Sequence, residues 1–305
     1  MAQGKYRNMA VGLNASDKVF HLICNTWLVI SGLIVLYPLI YVLSCSFSNT
    51  DAILGGRVIL WPVDISAGAY KRAFEHPLLI KSFFNSLLYV AGGTVVAVTL
   101  ILLAAYPLSR RDFPDRKIIQ TYFVITMFFG GGLIPSYLLM RNLHLVGSRL
   151  ALIVGAGFSC YNMIIIKTYF QNSLPPGLLD AAHIDGCGDF RFFFEFALPL
   201  SVPVIAVMVL FNAVGIWNSY FSGMLYLSNP DTFNFQQVLR DILFIASVSQ
   251  EQLTNMDPNE IAERLNLMYQ LRYAVLVIGA FPMMLLYPFI QKYFIRGMMI
   301  GSLKE

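Results

Sequence analysis

The chain has 305 residues, 57% of them hydrophobic and only 12% charged, with a net charge of +4. A mean hydropathy of +0.64 lies far outside soluble globular usage and indicates an integral membrane protein, and the net charge is too small to suggest nucleic-acid binding. The four cysteines, Cys24, Cys45, Cys160 and Cys187, lack C-x-x-C spacing, so neither a disulfide framework nor a metal site is indicated.

Residues 1–20 form a polar tail carrying Lys5, Arg7 and Lys18. The hydrophobic run that follows is long and lacks an A-x-A-like cleavage site, which makes it an uncleaved first span and not a signal peptide. A bilayer core needs about 20 apolar residues per helix. Stretches at about 22–46, 83–108, 118–140, 150–170, 196–217 and 273–295 qualify, predicting an all-α membrane protein with six transmembrane helices in one domain over 21–305. Arg110, Arg111, Arg116 and Lys117 crowd the turn between the second and third spans. Positive-inside logic makes that turn cytoplasmic, together with both termini and the loop 171–195. Two long loops, 47–82 and 218–272, then lie outside. Glycines and prolines within the spans, Gly92, Gly93, Gly130 to Gly132, Pro135 and Pro203 among them, are expected where helices pack closely or bend.

The loop 171–195 is the most distinctive part of the chain. Ser173 can cap a short helix opened by Pro175 and Pro176, since proline fits a first turn whose N–H groups have no intrahelical partner. Leu178, Leu179, Ala182 and Ile184 make that helix apolar, Ala181 and Ala182 admit close approach, and Gly186 and Gly188 end it. Asp189 can cap the aromatic segment Phe190-Arg191-Phe192-Phe193-Phe194-Glu195-Phe196 that leads into the fifth span. On pattern alone this is either an interfacial amphipathic helix without a partner or a surface that docks another protein.

The same loop resembles the E-A-A-x-x-x-G-x(9)-I-x-L-P signature of permease subunits of binding-protein-dependent ABC importers. Asp180-Ala181-Ala182, Gly186 and Leu198-Pro199 stand at the matching positions, with Asp180 for the usual Glu and Phe196 for the usual Ile. The resemblance implies a type I ABC importer permease fold, in which the helix over 175–188 is a cytoplasmic coupling helix seated in a cleft of an ATP-hydrolysing subunit. Asp180, Ala181, Ala182, Asp185 and Gly186 would be its coupling residues. Ser66 to Tyr70, Phe84-Asn85-Ser86, Trp217 to Phe221 and the tail Arg296 to Lys304 extend the similarity to maltose-type carbohydrate permeases. That group implies a bacterial plasma membrane location and a set of partners: a second, different permease, two nucleotide-binding ATPase subunits that bind ATP and Mg, and an extracytoplasmic solute-binding lipoprotein.

In the outer loop, Phe235, Val238, Leu239, Ile242, Leu243 and Ala246 recur at helical spacing, and Asp257-Pro258-Asn259-Glu260 reads as the start of a second helix. This loop is either a lid over the pore mouth or a docking surface for the binding protein; the resemblance favours docking. Sugar contacts need aromatic faces and amides along a concave path, which makes Asn85, Trp217, Asn218 and Tyr220 the candidates, with a membrane-belt role as the alternative for Trp217 and Tyr220.

The chain contains no G-x-x-x-x-G-K-[ST], so ATP must be bound by a partner and no cofactor is expected here. It also has no H-E-x-x-H or G-x-S-x-G, and its four histidines are isolated, which argues against an enzyme. A self-sufficient secondary transporter is the competing class. It usually carries Asp, Glu, His or Lys at membrane depth, and these spans lack them.

Overall fold

The computed structural model describes residues 15–246, 257, 269, 271–286, 288 and 291, and every regular element among them is a helix. The chain divides into two compact units, one from residues 1–71 and 246–277, the other from 72–245 and 278–305.

The first unit is led by α1 (Ala15–Ser46), a 32-residue helix whose apolar side chains, such as Trp27, Leu28 and Val35, are exposed along most of its length. Only its last turns are buried. There Cys45 packs on Ala52 and Ile53 of α2 (Thr50–Leu54) and on Val58, with Tyr41, Val63 and Tyr273 against the cluster. Hydroxyls close the end of the unit: Ser44 Oγ donates to the Leu60 carbonyl at 2.5 Å, Ser48 Oγ accepts the Val63 N–H at 3.0 Å, and Tyr70 in α3 (Gly68–Phe74) donates to Ser46 Oγ at 2.7 Å. Residues 47–71, part of the stretch read as an outer loop, thus fold as a cap on the end of α1.

The second unit is built around α4 (Leu79–Ser109), a 31-residue apolar helix. It is followed by α5 (Arg116–Phe128), α6 (Leu133–Asn142), α7 (Leu150–Gly155), α8 (Cys160–Ser173), α9 (Pro176–Ile184) and α10 (Asp189–Phe192). A wider π-helical turn, Phe193–Ala197, joins α10 to α11 (Leu198–Leu200); α12 (Val202–Trp217), α13 (Tyr220–Tyr226) and α14 (Phe235–Ala246) complete the run. A further apolar helix, α15, covers Leu271–Leu286.

Six uninterrupted spans are not what the described residues contain. The expected spans at 22–46 and 83–108 are single helices, whereas those at 118–140 and 196–217 are bent by 112° and 79°. The first bend follows from Gly130-Gly131-Gly132, where Gly132 takes φ +83°, a conformation costly for any residue with a Cβ. The second falls at Ser201 between Pro199 and Pro203; Pro203 has no N–H to continue the ladder and is tolerated only in the opening turn of α12. The span at 150–170 is split between α7 and α8, where Ser159 Oγ accepts the Asn162 N–H and restarts the helix. Of the second helix expected to start over Asp257 to Glu260, only Asp257 is among the described residues, and the tail residues Arg296 to Lys304 lie outside them.

Lipid offers no hydrophobic push between helices, so van der Waals contact must hold them, and that requires small residues at the crossings. Gly93 shows the requirement: a Cβ there would stand 2.8 Å from Ile216 Cδ1 of α12 and 3.3 Å from Ala156 Cβ. Toward the other end of α4, Ile101, Ala105 and Leu108 join Met163, Ile166 and Phe170 of α8, Phe192, Phe193 and Met208 in one buried cluster. The Tyr106 ring meets Phe170 edge-on at 5.8 Å and Phe193 at 4.9 Å.

Candidate functional site

The loop helix α9 stands apart from the long helices and is closed by backbone geometry. Pro175 occupies its N-cap and Pro176 its first helical position; Ser173 ends α8 and does not cap α9 as its side-chain chemistry had suggested. Gly186 takes φ +75°, its N–H donates to the His183 carbonyl at 3.0 Å, and the Cys187 N–H reaches back to the Ala182 carbonyl at 2.8 Å. This paired closure is a Schellman motif, and it folds Cys187 inward beside Ala182, where both are buried.

The helix therefore has two faces. Ala182 is 7% exposed and, with Leu178 and Leu179, packs on the unit's own core, so among the predicted coupling residues it holds the helix in place. Asp180, Ala181, Asp185 and Gly186 are exposed. Beside them stand two large apolar side chains, Ile184 at 86% and Phe190 at 81% exposure. Phe190 carries no signal in the sequence that separates it from the buried Phe192 and Phe193; only the turn geometry of α10 turns it outward.

Asp189 was expected to cap the next segment. Gly188 is the cap, and the Asp189 carboxylate is engaged elsewhere. It accepts from Arg110 Nη1 at 3.0 Å and lies 3.3 Å from His183 Nε2. Arg110, at the end of α4, also donates through Nε to Asp112 at 2.8 Å and through Nη2 at 2.5 Å, and through Nη1 to the Tyr106 hydroxyl at 3.2 Å. Its side chain is only 11% exposed. The hydrogen bonds from Arg110 hold the Asp112 carboxyl down at about 2, and the same bonds push the guanidinium above its ordinary range.

None of the four candidates for a sugar path lines the cavity described below, although Trp217 and Asn218 stand between two residues that do, Ile216 and Ser219. Asn85 is buried, its Nδ2 donating to the carbonyls of Asp231 at 2.9 Å and Phe233 at 3.2 Å. The Trp217 ring is 1% exposed between Phe83 and Phe235, and its Nε1–H donates to the Gly279 carbonyl at 3.0 Å. Asn218 is the exposed cap of α12, and Tyr220 lies under the Arg240 guanidinium, 4.3 Å from its ring centroid. A cavity of about 570 Å³ opens instead between α6, α7, α12 and α13, lined among others by Ser136, Asn212, Ser219, Ser222 and Tyr226, with Gly155 and Gly215 in its wall. No carboxylate or cationic side chain lines it. Ser219 was within reach of a sequence reading, one residue from Asn218; Ser136 and Ser222 carry no signal before the helices are assembled. Among the described residues, no group of His, Cys, Asp and Glu is placed to hold a metal.

Residues 9–300 match the family described as the binding-protein-dependent transport system inner membrane component. The chain belongs to that family. This permease is 36% identical over 288 residues to the polygalacturonan/rhamnogalacturonan transport system permease protein YtcP of Bacillus subtilis (strain 168), covering 94% of this chain and 99% of the relative. It is 35% identical to protein LplC of the same organism over 276 residues, covering 90% of each. Its fold matches a chain of a bacterial ABC transporter involved in the import of the acidic polysaccharide alginate, with a TM-score of 0.79 at 31% identity over 92% of this chain and 98% of that one. The permease is an inner-membrane transport component with a type I importer fold, and not an enzyme.

Proposed function

We propose that this permease passes an oligosaccharide from an extracytoplasmic binding protein into the cytoplasm, driven by a pair of ATPase subunits, one of which docks on α9. The observation that carries the reading is the two-faced geometry of that helix. Its inner face is fixed to the core by Leu178, Leu179 and Ala182, while Asp180, Ala181, Ile184 and Asp185 are left to a partner. A helix anchored on one side and bare on the other converts movement of the partner into movement of the spans it is fixed to.

The remaining roles follow from this one. α5 and α6 have no buried residue, which suits a second, different permease across the pore. Two ATPase subunits would bind ATP and Mg, one of them on the face of α9. With α9 in the cytoplasm, both termini lie there too, and α14 lies on the opposite side, where Phe235, Val238, Leu239 and Ile242 bury its inner face and leave Arg240 and Asp241 to the binding protein. The cavity of about 570 Å³ supplies hydroxyl, amide and aromatic groups, the chemistry that sugar rings require, and its lack of charge suits a passage that releases its cargo. The polygalacturonan/rhamnogalacturonan and alginate named for two of the similar proteins support the substrate class.

The test is purification of the tagged chain from its native membrane in mild detergent, followed by mass spectrometry and reconstitution. A second permease and an ATPase recovered in comparable amounts, with oligosaccharide uptake in proteoliposomes supplied with binding protein and ATP, is the expected result. Recovery of this chain alone as a stable species would overturn the reading.

A further inference from the structure

α4 is the one uninterrupted candidate span of its unit among the described residues, and both of its ends are tied by hydrogen bonds. At one end Asn85, Ser86 and Tyr89 hold the segment 231–235, the Ser86 hydroxyl accepting the Phe235 N–H at 2.7 Å and the Tyr89 hydroxyl donating to the Thr232 carbonyl at 2.6 Å. At the other end stands Arg110. The core contacts of α9 come from a single side. Between α9 and the end of α4 lies a cavity of about 770 Å³, lined by Arg110, Asp180 and His183 among others, so apolar packing does not fix the tilt of α9 there. What crosses the gap is a chain of polar contacts, from Arg110 to Asp189 at 3.0 Å and from Asp189 to His183 on α9 at 3.3 Å.

We propose that Arg110 is a positioning residue for coupling, which sets the angle of α9 against α4 through Asp189 and His183. The guanidinium suits this role because its fork is already fixed by Asp112, which takes Nε and Nη2 and leaves Nη1 aimed at Asp189. Asp189 is largely exposed, so its pairing with Arg110 adds little to stability in water. Its consequence is geometric: it makes α9 move with α4 and not independently of it. Arg110 touches neither cargo nor nucleotide in this role.

The inference rests on the docking of an ATPase at α9, and the experiment separates the two. The complex is purified with the wild-type chain and with Asp189→Ala, Asp189→Glu and Arg110→Lys, then reconstituted with binding protein and oligosaccharide. Two quantities are read: ATPase subunit recovered per permease, and ATP hydrolysed per sugar imported. The expected result is wild-type recovery of the ATPase with every variant, and an ATP cost per sugar raised about tenfold in Asp189→Ala, the size of a typical coupling between sites. Asp189→Glu would return most of the coupling, and Arg110→Lys, a point charge without a fork, would fall between. A wild-type ratio of ATP to sugar in Asp189→Ala overturns the proposal, as does equal damage from Asp189→Ala and Asp189→Glu, because a carboxylate that only supports local folding would give that pattern. Failure of the wild-type chain to retain any ATPase would overturn the docking reading itself, and this inference with it.

Discussion

The indole N–H of Trp217 donates to the carbonyl of Gly279 at 3.0 Å, across 62 residues of chain. A tryptophan at the end of an apolar run invites reading as an interfacial anchor or a sugar platform, yet here the ring is enclosed by Phe83 and Phe235 and its polar edge is spent on backbone. Trp217→Phe keeps most of the packing and removes the indole donor, while the Gly279 carbonyl keeps its place in the ladder of α15. The expected loss is about 0.5–1.5 kcal/mol, seen as a lower unfolding temperature in detergent, with transport by the folded fraction unchanged. Trp217→Ala adds a cavity and should cost about 3–5 kcal/mol. Loss of uptake in Trp217→Phe at full stability would return the ring to the substrate path.

Gly186 permits a second prediction, in which sterics and conformation separate cleanly. Nothing lies within 4 Å of a Cβ built there, so a side chain meets no neighbour, but the backbone has φ +75°. Gly186→Val must leave the left-handed region, at about 1–2 kcal/mol or more for a branched residue, and release the bonds to His183 and Ala182. Uptake should fall severely while membrane insertion is retained. Gly186→Asn, which tolerates that region, should keep most of the activity. Equal activity of the Val and wild-type chains would sink the role assigned to the α9 closure.

Class and approximate element positions were legible in the sequence because bilayer thickness imposes a length on apolar runs, and because Gly186 must end a helix that Pro175 and Pro176 begin. The breaks were not legible. Gly130 to Gly132 and Pro199 to Pro203 were visible, but glycine and proline also serve tight packing in membrane helices, as Gly93 does against Ile216. The site was legible where a residue acts through backbone geometry and obscure where it acts through assembly. Arg110 reads as one of several basic residues that fix orientation, and only the fold brings it to Asp189, 79 positions away. Asn85 and Trp217 have the chemistry of sugar ligands; tertiary contacts assign that chemistry to backbone carbonyls instead.

Ile184 and Phe190 are exposed well beyond what isolated surface residues require, on the face of α9 and the start of α10 that carries Asp180 and Asp185. Burying one such side chain on a partner is worth about 1.5–3 kcal/mol. Ile184→Asp and Phe190→Ser should each weaken retention of the ATPase subunit by about ten- to a hundredfold. Neither should alter the stability of the isolated chain, because neither packs on its core. Pull-down at graded salt and thermal unfolding of the free permease give the two readings, and a destabilised chain with normal retention would contradict the assignment.

Asp112 supplies a pH dependence whose sign can be worked out. Its folded pKa is depressed to about 2 by the Arg110 hydrogen bonds, so its contribution to stability is present above the unfolded carboxylate value of about 4 and is lost as pH falls through 2. Asp112→Asn should therefore lower the unfolding temperature by the same amount at every pH from about 5 to 8, with the difference from wild type closing only in strong acid. The variant also frees the guanidinium fork that aims Nη1 at Asp189, so a neutral-pH coupling defect should accompany the stability loss. A gap that widens on acidification would mean the carboxyl is protonated in the folded protein and the Arg110 network is wired differently.

The last prediction concerns the uncharged cavity. Asn212 donates through Nδ2 to the Met208 carbonyl at 2.8 Å one turn back in α12, which fixes its side chain at the cavity wall beside Ser219 and Tyr226. Asn212→Leu keeps the branched shape of the side chain while replacing the amide with two bulkier methyl groups, whereas Ser222→Phe fills the space. If the cavity is the sugar path, Asn212→Leu should reduce uptake by about tenfold through lost hydrogen bonding to ring hydroxyls. Ser222→Phe should obstruct long oligosaccharides more than disaccharides, because the blockage is steric and scales with what must pass. Stimulation of ATP hydrolysis by loaded binding protein should survive in both variants, since α9 and α14 are untouched. Full transport of long chains by Ser222→Phe would move the path out of this cavity and onto the face shared with the second permease.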